Sequence, residues 1–149
     1  MAQQATYSLL DVIFTFFHPL AGTFTANGNQ GVGRIVITYS NDRTQMDLAG
    51  DGAVMISAKP GRMGNIAIEI QQTSRLHAFL LAWFNVLDTQ MLQGDVSTWA
   101  AATVEVRSIT TGRFHVLQGV APQKVTDQTY EANGQNFTWN LPSADVQTS

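Results

Sequence analysis

Apolar and polar residues alternate with period two along most of the chain. In DVIFTFFHP, Val12, Phe14 and Phe16 fall on one side and Asp11, Ile13, Thr15 and Phe17 on the other. That is the signature of a half-buried strand, and Pro19 ends it. GTFTANGNQGVG reads as a turn region, with Asn27-Gly28 its clearest signal. RIVITY then sets Ile35, Ile37 and Tyr39 against Arg34, Val36 and Thr38. Asp51-Gly52 is a strong hairpin dipeptide with TQMDL and AVMISA as its arms, and Lys59-Pro60-Gly61 forms a second turn. NIAIEIQQ alternates most cleanly, with Ile66, Ile68 and Ile70 on one face and Asn65, Ala67, Glu69 and Gln71 on the other. Later come ATVEVRSI, a Thr111-Gly112 turn, RFHVLQGVAP, KVTDQTYEA, Asn133-Gly134 and QNFTWNLP. These predict three or four strands in a meander. A polar tail over 142–149 is expected to fray.

The period changes once. Leu76, Phe79, Leu80, Trp83, Phe84 and Leu87 recur at helical spacing and predict one helix over about residues 74–92. Thr73 or Ser74 caps its start, and Gly94 stops it. Its back, with His77, Ala78, Leu81, Ala82, Asn85, Asp88, Thr89 and Leu92, carries a single formal charge. A solvent-facing helix usually has a more polar back. Arg75 near the N-terminus and Asp88 near the C-terminus also oppose the helix dipole. Tertiary contacts must therefore hold this helix, with its back covered either by a neighbouring subunit or by its own domain. About five strands, one helix and about four strands predict a single, mainly β domain with a flanking helix.

Composition sharpens this. Only 13% of the 149 residues are charged, with Gln, Asn, Thr and Ser in their place, which suggests a surface partly covered in an assembly. The net charge of −3 and scattered Lys and Arg offer no basic patch for tight nucleic-acid binding. There is no cysteine, hence no disulfide framework and no thiolate metal site. The opening MAQQATYSLLDVIFTF lacks a basic n-region, so no signal peptide is expected, and Leu76–Leu92 is too short and polar for a membrane anchor.

Catalytic, metal and cofactor motifs are weak or missing. Gly61 and Gly64 precede their strand, whereas a phosphate loop places glycines between strand and helix. His18, His77 and His115 have no ligand at metal spacing and read as structural. No G-x-S-x-G elbow occurs, and pairs such as Asp47 with Asp51 or Glu69 with Glu105 read as solvated carboxylates. DRTQMDLAGDG lacks EF-hand spacing. Trp83 and Trp139 fall in core patterns, while Trp99 is undecided between core and surface. No enzyme is expected.

The run DLAGDGAVMISAKPGRMGNIAIEIQQTSRLHAFLLAWF resembles the tail tube proteins of contractile-tailed bacteriophages, as does ATVEVRSITTGRFHVLQGVAPQKVTDQTYEANGQNFTWNLPSAD. Together with YSLLDVIFTF, the resemblance covers roughly residues 8 to 145. It implies a small β-sandwich or barrel with one flanking helix, an N-terminal arm at 1–7, and self-assembly into hexameric rings stacked as a tube. The implied partners are a sheath protein, a baseplate or tube initiator, a tail terminator and a tape measure protein in the lumen. Genomic DNA would pass through without specific binding, and a net-negative chain suits that role. The implied setting is the virion tail, assembled in the host bacterial cytoplasm. Tubes of phage-tail-like bacteriocins and of type VI secretion are the related alternatives, and a monomeric carbohydrate-binding β-sandwich is the unrelated one.

Under that resemblance Arg34–Tyr39 and Asn65–Gln72 are candidate inner-barrel strands, with Thr38, Glu69 and Gln71 facing the lumen and Arg34 out of place there. The hairpin with Asp42, Arg43, Asp47, Asp51, Gly52 and Lys59 is the candidate ring-to-ring contact, helped by the segment Ala2–Tyr7. Ala78, Leu81, Ala82, Asn85 and Thr89 are the candidate subunit-interface face of the helix.

Overall fold

Six strands precede the helix and three follow it in the computed structural model, which describes residues 6–26 and 31–149. They are β1 (Val12–His18), β2 (Gly22–Ala26), β3 (Val32–Tyr39), β4 (Thr44–Leu48), β5 (Val54–Ala58) and β6 (Gly64–Gln71), then β7 (Ala102–Ser108), β8 (Phe114–Val120) and β9 (Asn136–Thr148). The helix α1 spans Arg75–Leu92. Seven strands make one antiparallel sheet in the order β2-β1-β7-β8-β9-β6-β3, while among the described residues β4 and β5 pair only with each other. The sheet curls into a half-barrel around α1, so the expected sandwich or barrel takes the form of a single bent sheet.

The period-two pattern becomes the core. Phe14, Phe16, Ile66, Ile68, Ile70, Val104, Leu117, Trp139 and Leu141 are all buried on the concave side. Against them α1 sets Leu76, Leu80, Trp83 and Leu87. Each such side chain contributes about 1.5–3 kcal/mol when fully buried. Phe16 stands edge-on to Phe79 at 5.4 Å and to Trp83 at 4.8 Å, tying β1 to the helix. Ser74 is the N-cap, its Oγ accepting from the Leu76 N–H at 3.1 Å. Gly94 at φ +81 follows the helix end.

Several expectations are corrected. GTFTA, expected as a turn, is the edge strand β2; its threonines and Phe24 pair with β1. Asn27-Gly28 lies outside the described residues. KVTDQTYEA forms no strand. It runs beside β9 instead, where Thr126 Oγ1 donates to the Thr138 carbonyl at 2.6 Å and Val125 packs on the core. The frayed tail at 142–149 is instead the second half of β9, which pairs with β6 up to Ser143 and with β8 from Ser143 to Thr148. Buried Ser143 and Val146 anchor it, alternating with exposed polar residues. His77, assigned to the helix back, is buried.

Two glycines are dictated by close approach. Gly119 at φ +66 forms the bulge in β8 where the register with β7 shifts, and a Cβ there would stand 2.7 Å from Ala144 Cβ. Gly64 starts β6 so tightly that a Cβ would meet Val146 Cγ2 at 2.5 Å and the Thr38 carbonyl at 2.6 Å. Its role is strand packing rather than phosphate binding.

Candidate assembly surfaces

The convex side of β3, β6 and β9 is a mostly polar wall, interrupted by Val36, Ala67 and Pro142. Register places Thr38 opposite Asn65, Val36 opposite Ala67, and Arg34 opposite Glu69. On the other flank Asn65, Ala67, Glu69 and Gln71 meet Pro142, Asn140, Thr138 and Asn136. The Asn136 amide donates to Glu69 Oε1 at 3.2 Å. Thus Thr38, Glu69 and Gln71 do share one face, which faces away from the core. Arg34 is no longer anomalous there, because it lies directly across from Glu69 and the two formal charges offset each other. Asn136, Thr138 and Asn140 complete the wall and were missed as site residues, although their alternation with Phe137, Trp139 and Leu141 already encoded it. A shallow groove at its margin brings Lys124 and Asp127 beside Thr138 and Asn140, again with balanced charge.

The β4–β5 hairpin projects from the domain. All ten strand residues are exposed. Asp51 Oδ1 accepts from the Ala53 N–H at 3.0 Å, and Gly52 at φ +89 turns the chain. Arg43 Nε donates to the Lys59 carbonyl at 2.6 Å and closes the base. Asp42, Arg43, Asp47, Asp51, Gly52 and Lys59 therefore belong to one hairpin, but its most unusual feature is apolar. Met46 pairs with Ile56 and Leu48 with Val54, and these four share one face. They are 67%, 63%, 72% and 54% exposed, respectively, where strand side chains of this kind are normally buried. The alternation in TQMDL and AVMISA carried this signal.

On α1, Ala78, Ala82, Asn85 and Thr89 are exposed and Leu81 is half-buried. Thr89 Oγ1 turns inward to donate to the Asn85 carbonyl at 2.9 Å. The domain itself therefore leaves this face open. Leu92, at the helix end, is 83% exposed.

The histidines serve the fold. Trp139 Nε1–H donates to His77 Nδ1 at 3.0 Å within the core, and Phe137 packs on the same imidazole at 4.8 Å. Burial pushes the His77 pKa below its ordinary value. His18 Nδ1 accepts from the Leu20 and Ala21 N–H groups, and its Nε2–H donates to the Thr98 carbonyl at 2.9 Å, locking the β1–β2 turn. His115 Nδ1 lies 2.9 Å from Thr148 Oγ1, to which Tyr39 also hydrogen-bonds, linking β8, β9 and β3. Burial foremost, then the Arg113 charge, lowers the His115 pKa. Trp83 and Trp139 are core residues and Trp99 packs half-buried against the core. No group of three or more His, Cys, Asp or Glu with metal-binding geometry occurs among the described residues, and no helix there is long and apolar enough to cross a membrane.

An open groove of about 620 Å³ runs along the seam between edge strand β3 and strands β7 and β8. Leu9, Val12, Ile35, Ile37 and Val106 line its floor, and Arg34, Arg113 and His115 stand along it.

Comparison with known proteins follows this geometry. The family model described as Bacteriophage PhiTE tail tube protein matches residues 4–149. No curated protein matches the chain. Among solved structures, the tube terminating cap of the anti-feeding prophage is similar, with a TM-score of 0.61 at 10% identity, over 100% of this chain and 94% of that one. The sheath/tube terminator of an extracellular contractile injection system, PVC, gives a TM-score of 0.61 at 11% identity, covering 99% of each chain. A chain of the PVC sheath-tube complex gives 0.56 at 12% identity, over 91% of this chain and 87% of that one. At such identities the likeness is one of fold.

Proposed function

Because the chain belongs to the family of the bacteriophage PhiTE tail tube protein, we propose that it assembles into rings of six copies that stack as the inner tube of a contractile tail. Its role is structural. The tube serves as the conduit for genome ejection, with a sheath protein outside, a baseplate initiator at one end, a terminator at the other, and a tape measure protein inside during assembly in the host cytoplasm. The similar folds in a tube terminating cap and in a sheath-tube complex support that set of partners.

The observation that carries this reading is the polar wall of β3, β6 and β9. It is broad, outside the domain core, poor in charge, and its Arg34 and Glu69 face one another. Such a wall presents polar groups to water without a net positive field that would hold phosphates. We assign it to the lumen, with Thr38, Glu69 and Gln71 among its lining. Closing half-barrels edge to edge around a ring also removes the two free edges, β2 and β3, which would otherwise invite irregular pairing. The open helix face at Ala78, Leu81, Ala82, Asn85 and Thr89 is assigned to a subunit or sheath contact, and the β4–β5 hairpin to contact between rings.

Light scattering followed by negative-stain imaging of the purified chain tests the assignment. Hollow rings or tubes are expected. A persistent monomer of 16.3 kDa would contradict it and favour a binding module.

A further inference from the structure

The hairpin and the groove are complementary surfaces among the described residues. The hairpin offers Met46, Leu48, Val54 and Ile56 on one face, and between Thr44 and Ala58 its only charged residues are Asp47 and Asp51. The groove offers an apolar floor of Leu9, Val12, Ile35, Ile37 and Val106, and the only formal charges lining it are those of Arg34 and Arg113. Apolar surface thus faces apolar surface, and Asp51 at the hairpin tip meets a rim that carries Arg113.

A two-stranded ribbon needs packing on a third element to be stable in water, and among the described residues β4 and β5 pair only with each other. The groove also lies beside β3, whose outer edge has no strand partner among the described residues. A ribbon laid in the groove covers the open seam and leaves that edge to the neighbouring half-barrel of the ring.

We propose that the β4–β5 hairpin of one copy seats its apolar face in the β3 groove of a second copy. This rests on the tube reading above and deepens it, since it says where the hairpin lands. The contact is heterologous: each copy gives a hairpin and receives one. Such a contact propagates rather than ending at a dimer. It also moves the weight of the hairpin contact from Asp42, Arg43 and Lys59 at the base to the apolar strand face.

The chain contains no cysteine, so disulfide trapping is clean. The test is the full chain carrying Ile37→Cys together with Ile56→Cys, oxidised mildly after assembly and run on a denaturing non-reducing gel. A ladder of linked multimers is expected, absent from either single variant and from Ile56→Cys paired with Ala82→Cys. In parallel, Leu48→Asp with Ile56→Asp should raise the protein concentration needed for assembly by about tenfold or more. Since both residues lie outside the core, far-UV circular dichroism and the melting midpoint of the unassembled chain should stay at wild-type values. If the wild-type chain builds tubes while the cysteine pair gives no ladder, or while the aspartate variant assembles at the wild-type threshold, the docking is overturned and the tube reading stands. That is also the outcome if the groove holds some other ligand. If the wild-type chain stays monomeric, the tube reading falls and the docking with it.

Discussion

Replacing Trp139 with Phe should cost more than the lost ring volume explains. Trp139 is fully buried, and its Nε1–H is held by His77 Nδ1 at 3.0 Å. The smaller ring forfeits about 1–2 kcal/mol of burial and leaves a void. It also strands a buried imidazole nitrogen, which adds about 1–3 kcal/mol. The single variant should therefore lose about 2–5 kcal/mol. Removing both polar partners, with Trp139→Phe and His77→Leu together, leaves no unpaired atom. The double variant should thus be more stable than the sum of the two single losses implies, by at least about 1 kcal/mol. Urea unfolding followed by far-UV circular dichroism measures this, at matched low concentration because assembly stabilises the folded chain. Additivity within about 0.5 kcal/mol would refute the claim that this hydrogen bond joins helix to sheet.

Other outcomes follow from single features. Gly119→Ala should lose about 1–3 kcal/mol in the same assay, because its backbone lies at φ +66 and Ala144 stands in the way. Ser74→Ala removes the acceptor for the Leu76 N–H and should cost about 1 kcal/mol. His77 and His115 bind protons less readily when folded than their ordinary value of 6.5. Their contribution to stability is therefore complete above that value and is lost as pH falls through the lowered folded values. Unfolding curves taken from about pH 7 down to about pH 5 should show falling stability, and His77→Leu should flatten the slope. Replacing Asp51 and Gly52 with alanines removes both the side-chain acceptor and the residue that adopts φ +89, and should impair polymerisation visible by negative stain.

Much of this architecture was legible because burial here follows simple periods. Ile66, Ile68 and Ile70 on one side and Asn65 and Glu69 on the other could sort in only one way. The helix boundaries followed from Ser74, the apolar spacing and Gly94. The failures have physical causes too. β2 consists of threonines, Phe24 and two small residues beside a glycine-rich stretch, so turn chemistry masked a strand held by its neighbour. The end of β9 alternates Leu141, Ser143 and Val146 with polar residues across a change of partner, which breaks strict period two. His77 sits on the weak side of the helical pattern and goes inward because Trp139 requires an acceptor. In the hairpin the exposed Met46, Leu48, Val54 and Ile56 are a larger anomaly than the charged residues.

The account stands on one orientation: the β3–β6–β9 wall toward the channel and α1 away from it. A cryo-EM reconstruction of tubes grown from the purified chain measures it directly. The prediction is a hollow tube with Thr38, Glu69 and Gln71 at the smallest radius and Ala78, Ala82 and Asn85 farther out. Tubes whose inner surface is instead lined by α1, with Glu69 on the outside, would contradict it.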